Sequence, residues 1–467
     1  MVRNFLYKII KMKRESKSDR RDFIKKSVFA AVGMSIVPGF TMGENGNITS
    51  ITEELSRALA GQDGIKKVAF ITHIYRNSAH ADVIGTKLFL GIPTDEGMVA
   101  PQIKIASVYI EQVGANDTGI RIANMNNTPV YPTVEEALTL GGDKLAVDAV
   151  IYVGEHGEYP FNRLGMKLYP RMNYLERIFR VFDASNRSVP VFTDKALSYS
   201  WLDSRWIYDR AKELNVPMMA GSSLPYCWRD KPLVHPIGVK ISEAVAIGYA
   251  SLDAYGFHVT EILQCMVERR AGGETGVKSV EGLKGDDVWK AIDSGKISQK
   301  LVDAACDTIQ DKEIGNMREI VPTPYAVIVN YTDGTKGTIM MLDKYVKTGW
   351  AYSANTSKGM VATEFVLSGG PTYAHFSYLA LNIQKFIVSG PTAPIERNLL
   401  TSGIIDMGIR SLAEGKVKQT PFLNIKYSAA GYEPIRPTAP RPTGQSIAPW
   451  HPKEYEFMIP DAFKNKG

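Results

Sequence analysis

AVIYVGEHGEYP, residues 149–160, compresses the architecture of this chain into twelve residues. Ala149 to Val153 form an apolar run rich in β-branched and aromatic side chains, and Gly154 breaks it at once. Such a run is a strand buried on both faces, as in a parallel sheet covered by helices. Working outward, the same pattern recurs. Strands read at 68–72, 103–110, 189–193 and 217–221, with a short one at 129–131, and helical spacing at 79–90, 134–140, 173–184 and 200–215 separates them. Strands alternating with helices predict a doubly wound parallel α/β sheet.

From Cys227 the rhythm changes. The stretch 244–250 leads to a long helix expected at 257–270, and Gly-rich turns separate β-type runs at 325–331, 337–342 and 362–367. Asp333-Gly334 is a hairpin signal. The second half therefore predicts an α+β domain with an open, largely antiparallel sheet, then helices at 376–389 and 395–414. The expected organisation is an export signal at 1–43, a linker at 44–64, a first domain at 65–226 and a second at 227–433. Its late helices are free to return to the first domain, and a Pro-rich strap without its own core closes the chain at 434–467.

Ser18-Asp19-Arg20-Arg21-Asp22-Phe23-Ile24-Lys25-Lys26 precedes the apolar run Val28 to Val37 and Pro38-Gly39. This layout resembles a bacterial twin-arginine export signal. The resemblance implies the Tat translocase as a partner and the periplasm or cell envelope of a bacterium as the destination. The apolar run is about half the roughly 20 residues a membrane helix needs, and no Cys follows it, so no stable membrane anchor is expected. Residues 1–26 hold ten of the 55 Lys and Arg but only three of the 49 Asp and Glu, which leaves the rest at a net charge of −1. A near-neutral body without basic runs gives nucleic acid no electrostatic foothold. Cys227, Cys265 and Cys306 have neither disulfide-framework nor CxxC spacing.

In an open α/β sheet, ligands bind beyond the carboxyl ends of the strands, at the switch point between first and fourth strands. Thr72, His73, Tyr75, Arg76, Asn77 and His80 follow the first strand, Glu111 the second, Glu155, His156 and Glu158 the fourth, and Asp194-Lys195 the fifth. If NAD(P) binds, Thr72, His73, Arg76, Asn77, Glu111 and Glu155 are the residues to line it. The first turn has no glycine, however, and Ile74 and Tyr75 occupy the space where a backbone would approach pyrophosphate, which argues against the ordinary pose. Two other readings of the 154–158 loop stay open. His156 and Glu158 are candidates for sugar hydroxyls or acid/base work, and His73, Glu155 and His156 for a divalent metal. A hydrogen-bonded structural loop is the plain alternative.

VPVFTDKALSYSWLDSRWIYDRAKELNVPMMAGSSLP, residues 189–225, resembles the Gfo/Idh/MocA family of glucose-fructose oxidoreductase-like and inositol-dehydrogenase-like proteins. Lys195 takes the place of the family's active-site lysine, Asp194 stands for its Glu, and Ala196 replaces its Pro. Leu252 to Glu261 is similar to the family motif Asp-x-Gly-x-His-x-x-Asp. Gly256, His258 and Glu261 match in place, and Asp253 lies one residue upstream. The resemblance spans about 66–425 and lacks the family's Gly-x-Gly-x-x-Gly.

What it implies is a Rossmann-like first domain and an oxidoreductase acting on a sugar or glycoside. Lys195 and His258 are then catalytic, with Asp194 and Asp253 beside them and Tyr255 at the substrate. A homo-oligomer is compatible with it. Two rivals share the fold: a non-redox hydrolase or lyase, metal-dependent or not, and a carbohydrate-binding protein without catalysis.

Overall fold

In the computed structural model, residues 64–459 are described, apart from 369 and 371. The export signal, nearly all of the linker and the last eight residues of the strap lie outside the described residues.

The first half contains β1 (Lys67–Thr72), α1 (His80–Leu90), the hairpin β2 (Ile92–Thr94) and β3 (Gly97–Val99), and β4 (Lys104–Ile110). It continues with α2 (Gly119–Met125), α3 (Val134–Thr139), β5 (Ala149–Val153), α4 (Arg171–Ala184), β6 (Val191–Asp194), α5 (Trp201–Glu213) and β7 (Met218–Gly221). Five of these strands form a sheet in the order β4-β1-β5-β6-β7, all parallel. Val130 adds a single parallel bridge outside β4, so the short third strand read from the sequence is one residue pair. Order and direction are those of a Rossmann-like sheet, with the switch point between β1 and β5. Every residue of β5 is fully buried, as the apolar run requires. Each such side chain contributes roughly 1.5–3 kcal/mol.

The second half contains β8 (Trp228–Asp230), β9 (Ile241–Gly248), α6 (Leu252–Val267), β10 (Val277–Lys284), α7 (Asp286–Asp293), α8 (Gln299–Cys306) and the short α9 (Met317–Ile320). After these come β11 (Tyr325–Tyr331), β12 (Lys336–Met341), β13 (Ala351–Thr356), β14 (Gly359–Val366), α10 (His375–Ser389), α11 (Ile395–Glu414) and β15 (Lys418–Gln419). The sheet order is β15-β10-β11-β12-β9-β13-β14-β8, antiparallel except for the β9–β12 pair. Helix α6 starts five residues before the expected 257. The Ser251 side chain caps it by accepting the Ala254 N–H, and position 256 within the helix is a glycine because a Cβ there would come within 2.8 Å of Ile405 on α11.

The strap does more than extend along the surface. Arg441 pairs with Asp230 and Glu364, and Thr443 N–H donates to Asp95. Tyr455 and Met458 are buried in the first domain's core, and Arg121 lies 3.8 Å from the centre of the Phe457 ring.

Candidate functional site

Each polar residue expected at the strand ends has a definite place, and the places divide into an interior group and a cleft group. In the interior group, Thr72 is buried with its hydroxyl donating to the Ile74 and Val153 carbonyls. His73 is fully buried, shares a 2.8 Å hydrogen bond with the Tyr152 hydroxyl, and packs against the rings of Tyr159, Tyr169 and Tyr174. Burial, with help from the Arg171 charge, lowers its pKa to about 3. Glu111 accepts the Tyr159 hydroxyl. Asn77 donates to the Phe457 carbonyl at 3.0 Å, and Arg76 is exposed.

These contacts test whether a nicotinamide dinucleotide fits the β1–α1 turn in its ordinary pose, and it does not. The Tyr75 ring is buried against Gly119, where a Cβ would lie 2.5 Å from that of Tyr75. The Asp82 carboxylate, in the first turn of α1, accepts the Ser78 N–H and the Thr86 hydroxyl, at 2.8 and 2.6 Å. A carboxylate therefore already sits at the helix N-terminus, where a pyrophosphate would need bare amides.

The cleft group converges beyond β5 and β6. Glu155 is buried between two cations: Arg171, at the head of α4, donates to one oxygen, and Lys195 Nζ donates to the other at 3.1 Å. Burial pushes the Glu155 carboxyl upward, but Lys195 and Arg171 outweigh it and hold the group well below the usual carboxylate range. Lys195 has φ of 59°, in the left-handed region that costs a non-glycine residue roughly 1–3 kcal/mol. Three bonds fix it there. Its N–H donates to the Gly221 carbonyl, the Asn398 amide donates to its carbonyl, and Leu197 N–H donates to the same Asn398. Lys195 Nζ also reaches the Ala254 carbonyl in the first turn of α6, at 3.4 Å.

Histidines line the same space. His80, the first residue of α1, donates from Nδ1 to buried Asp194 at 2.6 Å, and Arg171 donates to the Asp194 carbonyl at 2.6 Å. The His80 ring lies 5.2 Å from His156, 6.5 Å from His258 and 5.0 Å from Phe376. Burial, then the charges of Lys195 and His80, drive His258 well below its ordinary pKa, and its Nδ1 has no partner among the described residues. His156 falls to about 4, chiefly through burial. Tyr255 stacks on Trp350 at 5.8 Å and flanks His258 at 5.9 Å. Burial raises the Asp253 carboxyl, which faces Glu155, Lys195 and Lys167. Glu158 points out to solvent.

His73, Glu155 and His156 do not form a metal-ligand set. His73 is turned inward onto Tyr152, Glu155 is saturated by two cations, and no group of three or more His, Cys, Asp or Glu suited to a metal occurs among the described residues. Arg171, Asn398 and Phe376 belong to the cleft and carried no sequence signal: Arg171 reads as an ordinary helix-start cation, and Phe376 and Asn398 come from helices far along the chain. His80 had one: it is the first helical residue after β1.

No family model and no curated protein matches the chain. Solved structures similar to it include GenD2 from gentamicin A biosynthesis in complex with NAD, at 13% identity and a TM-score of 0.47, covering 82% of this chain and 99% of that one. A myo-inositol 2-dehydrogenase from Lactobacillus plantarum is similar at 11% identity and a TM-score of 0.48, covering 76% and 99%. A probable dehydrogenase from Thermotoga maritima gives 12% identity, a TM-score of 0.48, and 76% and 99% coverage.

Proposed function

We propose that this chain is an exported Gfo/Idh/MocA-like enzyme that binds a sugar or sugar-like polyol between its two domains and moves protons on it at Lys195 and His258. One observation carries the reading: Lys195 is held in a strained conformation by a backbone bond to Gly221 and by the Asn398 amide, so that its ammonium bridges Glu155 and the first turn of α6, one turn before His258. An ammonium has three N–H groups. Two are engaged, and the third is available to a substrate oxygen. Neutral His258 supplies a hydrogen-bonding nitrogen opposite it, and Tyr255 supplies an aromatic face for the apolar side of a sugar ring. No step is assigned to nicotinamide, since the β1–α1 turn does not fit it. Export rests on the Arg20-Arg21 motif; replacing both with Lys should leave the protein in the cytoplasmic fraction.

Calorimetric titration of the purified protein with D-glucose, D-fructose and myo-inositol tests the reading. At least one should bind, and Lys195→Ala and His258→Ala should each weaken it about tenfold or more, the value of a charge-assisted hydrogen bond. Unchanged affinity in both variants would falsify the assignment. Titrating NAD+ and NADP+ in parallel tests the misfit of the turn.

A further inference from the structure

Where a dinucleotide-binding chain places glycines and phosphate, this chain places an acid–histidine pair. Asp194 is fully buried at the end of β6, and its Oδ2 accepts the His80 Nδ1–H at 2.6 Å. That bond fixes the tautomer with a free Nε2, which makes no hydrogen bond among the described residues. His80 itself is 14% exposed, and its ring edges against Phe376 and His156, on the cleft shared with Lys195 and His258. A carboxylate behind one imidazole nitrogen and no hydrogen-bond partner among the described residues on the other is the arrangement of a general base that becomes imidazolium.

Resting on the reading above, we infer that His80, oriented by Asp194, is the proton acceptor of the cleft, and that its substrate is a sugar carrying a carbonyl next to the carbon it deprotonates. His80 Nε2 takes the proton from that carbon. The C–H electron pair becomes a C=C bond, and the carbonyl π pair moves to oxygen, giving an enediolate whose charge the Lys195 ammonium stabilises. Returning the His80 proton to the former carbonyl carbon, while the Lys195 ammonium gives a proton to the enediolate oxygen and takes one back from the neighbouring hydroxyl, gives the aldose–ketose isomer. The reaction is redox-neutral overall and needs no hydride acceptor, which accords with a turn that does not seat one. Lys195 stabilises the enediolate and carries the proton between its two oxygens in this scheme, His258 hydrogen-bonds a substrate hydroxyl, and Asp194 is a positioning residue.

Proton NMR in D2O with D-fructose, D-glucose and 2-keto-myo-inositol tests it by following deuterium entry at the carbon beside the carbonyl. Wild type should exchange at least one of them without added nicotinamide. His80→Gln should slow exchange about 100-fold or more while sugar affinity stays within a factor of three, the signature of a lost general base. Asp194→Asn should also slow exchange, move the midpoint of its pH profile, and add nothing when combined with His80→Gln. The groups facing His80 that shape that profile are Asp194, Glu155, His156, His258 and His375. If His80→Gln fails to fold, His80→Asn and Asp194→Asn carry the test. Sugar binding that depends on Lys195 without any exchange, or exchange indifferent to His80, overturns this inference and leaves the parent reading standing. Absence of any sugar binding overturns both.

Discussion

Replacing Glu155 by Gln removes one negative charge from between two cations. In the native protein Arg171 is 2% exposed, its only carboxylate partner among the described residues is Glu155, and a further bond goes to the Asp194 carbonyl. Removing one member of a buried ion pair costs about 3–5 kcal/mol, because the other charge stays buried without compensation. Here the lower end applies: a Gln oxygen still accepts one hydrogen bond, and Arg171 keeps its contact with Asp194. With about 2–4 °C per kcal/mol for a domain of this size, Glu155→Gln should lower the melting temperature by roughly 6–12 °C. Thermal unfolding followed by circular dichroism reads the shift directly. The double variant Glu155→Gln, Arg171→Met should recover at least half of it, since the more deeply buried of the two cations is then gone and only Lys195, whose side chain is 13% exposed, lacks a counter-charge. A single variant melting within 1 °C of wild type, or a double variant melting lower than the single, would show that Glu155 does not balance the two cations.

Acid should weaken the fold well before ordinary carboxylates titrate. Burial lowers His73 and His375 to about 3 and His235 to about 4, and all three are nearly inaccessible. A histidine held neutral contributes fully above its unfolded value near 6.5 and progressively less as the pH falls from there toward its folded value, so each costs about 2 kcal/mol at pH 5. Glu261, raised by burial to about 7, and Asp82, raised to about 6, work in the opposite direction and return about 3 kcal/mol together over the same interval. His156 and His258, also held neutral, act in the same direction as the three rings, so urea unfolding at pH 7 and pH 5 should differ by at least about 3 kcal/mol, with pH 7 the more stable; equal midpoints would contradict the burial of these histidines. Gly221→Ala should cost at least ~2 kcal/mol, because φ there is +140° and a Cβ would lie 2.6 Å from the Glu261 carboxylate that accepts the Ser222 N–H. A melting temperature unchanged by that substitution would argue against the tight turn after β7.

The parallel sheet was legible because its strands are apolar on both faces, a pattern that Ala149 to Val153 show without interruption. Strand β10 escaped the reading: Lys278, Glu281 and Gly282 dilute its apolar signal, and Gly282 is there because the Gly408 carbonyl on α11 leaves no room for a Cβ, which would lie 2.5 Å away. Helix α6 begins earlier than the expected 257: Gly256 interrupts the helical pattern in the sequence, yet it is the residue that lets α6 approach α11, and Ser251 caps the first turn. At the site, Lys195 and His258 stood out by resemblance and the structure brings them to one cleft. The pairings that organise the cleft were not visible, because Glu155 meets Arg171 16 residues on and Lys195 40 residues on, and His80 meets Asp194 across 114. No local periodicity encodes such distances.

The return of the strap to the first domain bears on the order in which this protein is made and finished. Translation delivers the parallel sheet and its helices first, and a nascent domain ordinarily closes as soon as it clears the ribosome. Here Tyr455 and Phe457 bond Asn126, just past α2, and Asn77 in the β1–α1 turn, and the Phe457 ring covers Arg121, so that turn is completed by a residue 380 positions further on. The parallel sheet can therefore form early but is sealed only once the strap has emerged, and removing residues from 455 on should leave that face uncovered.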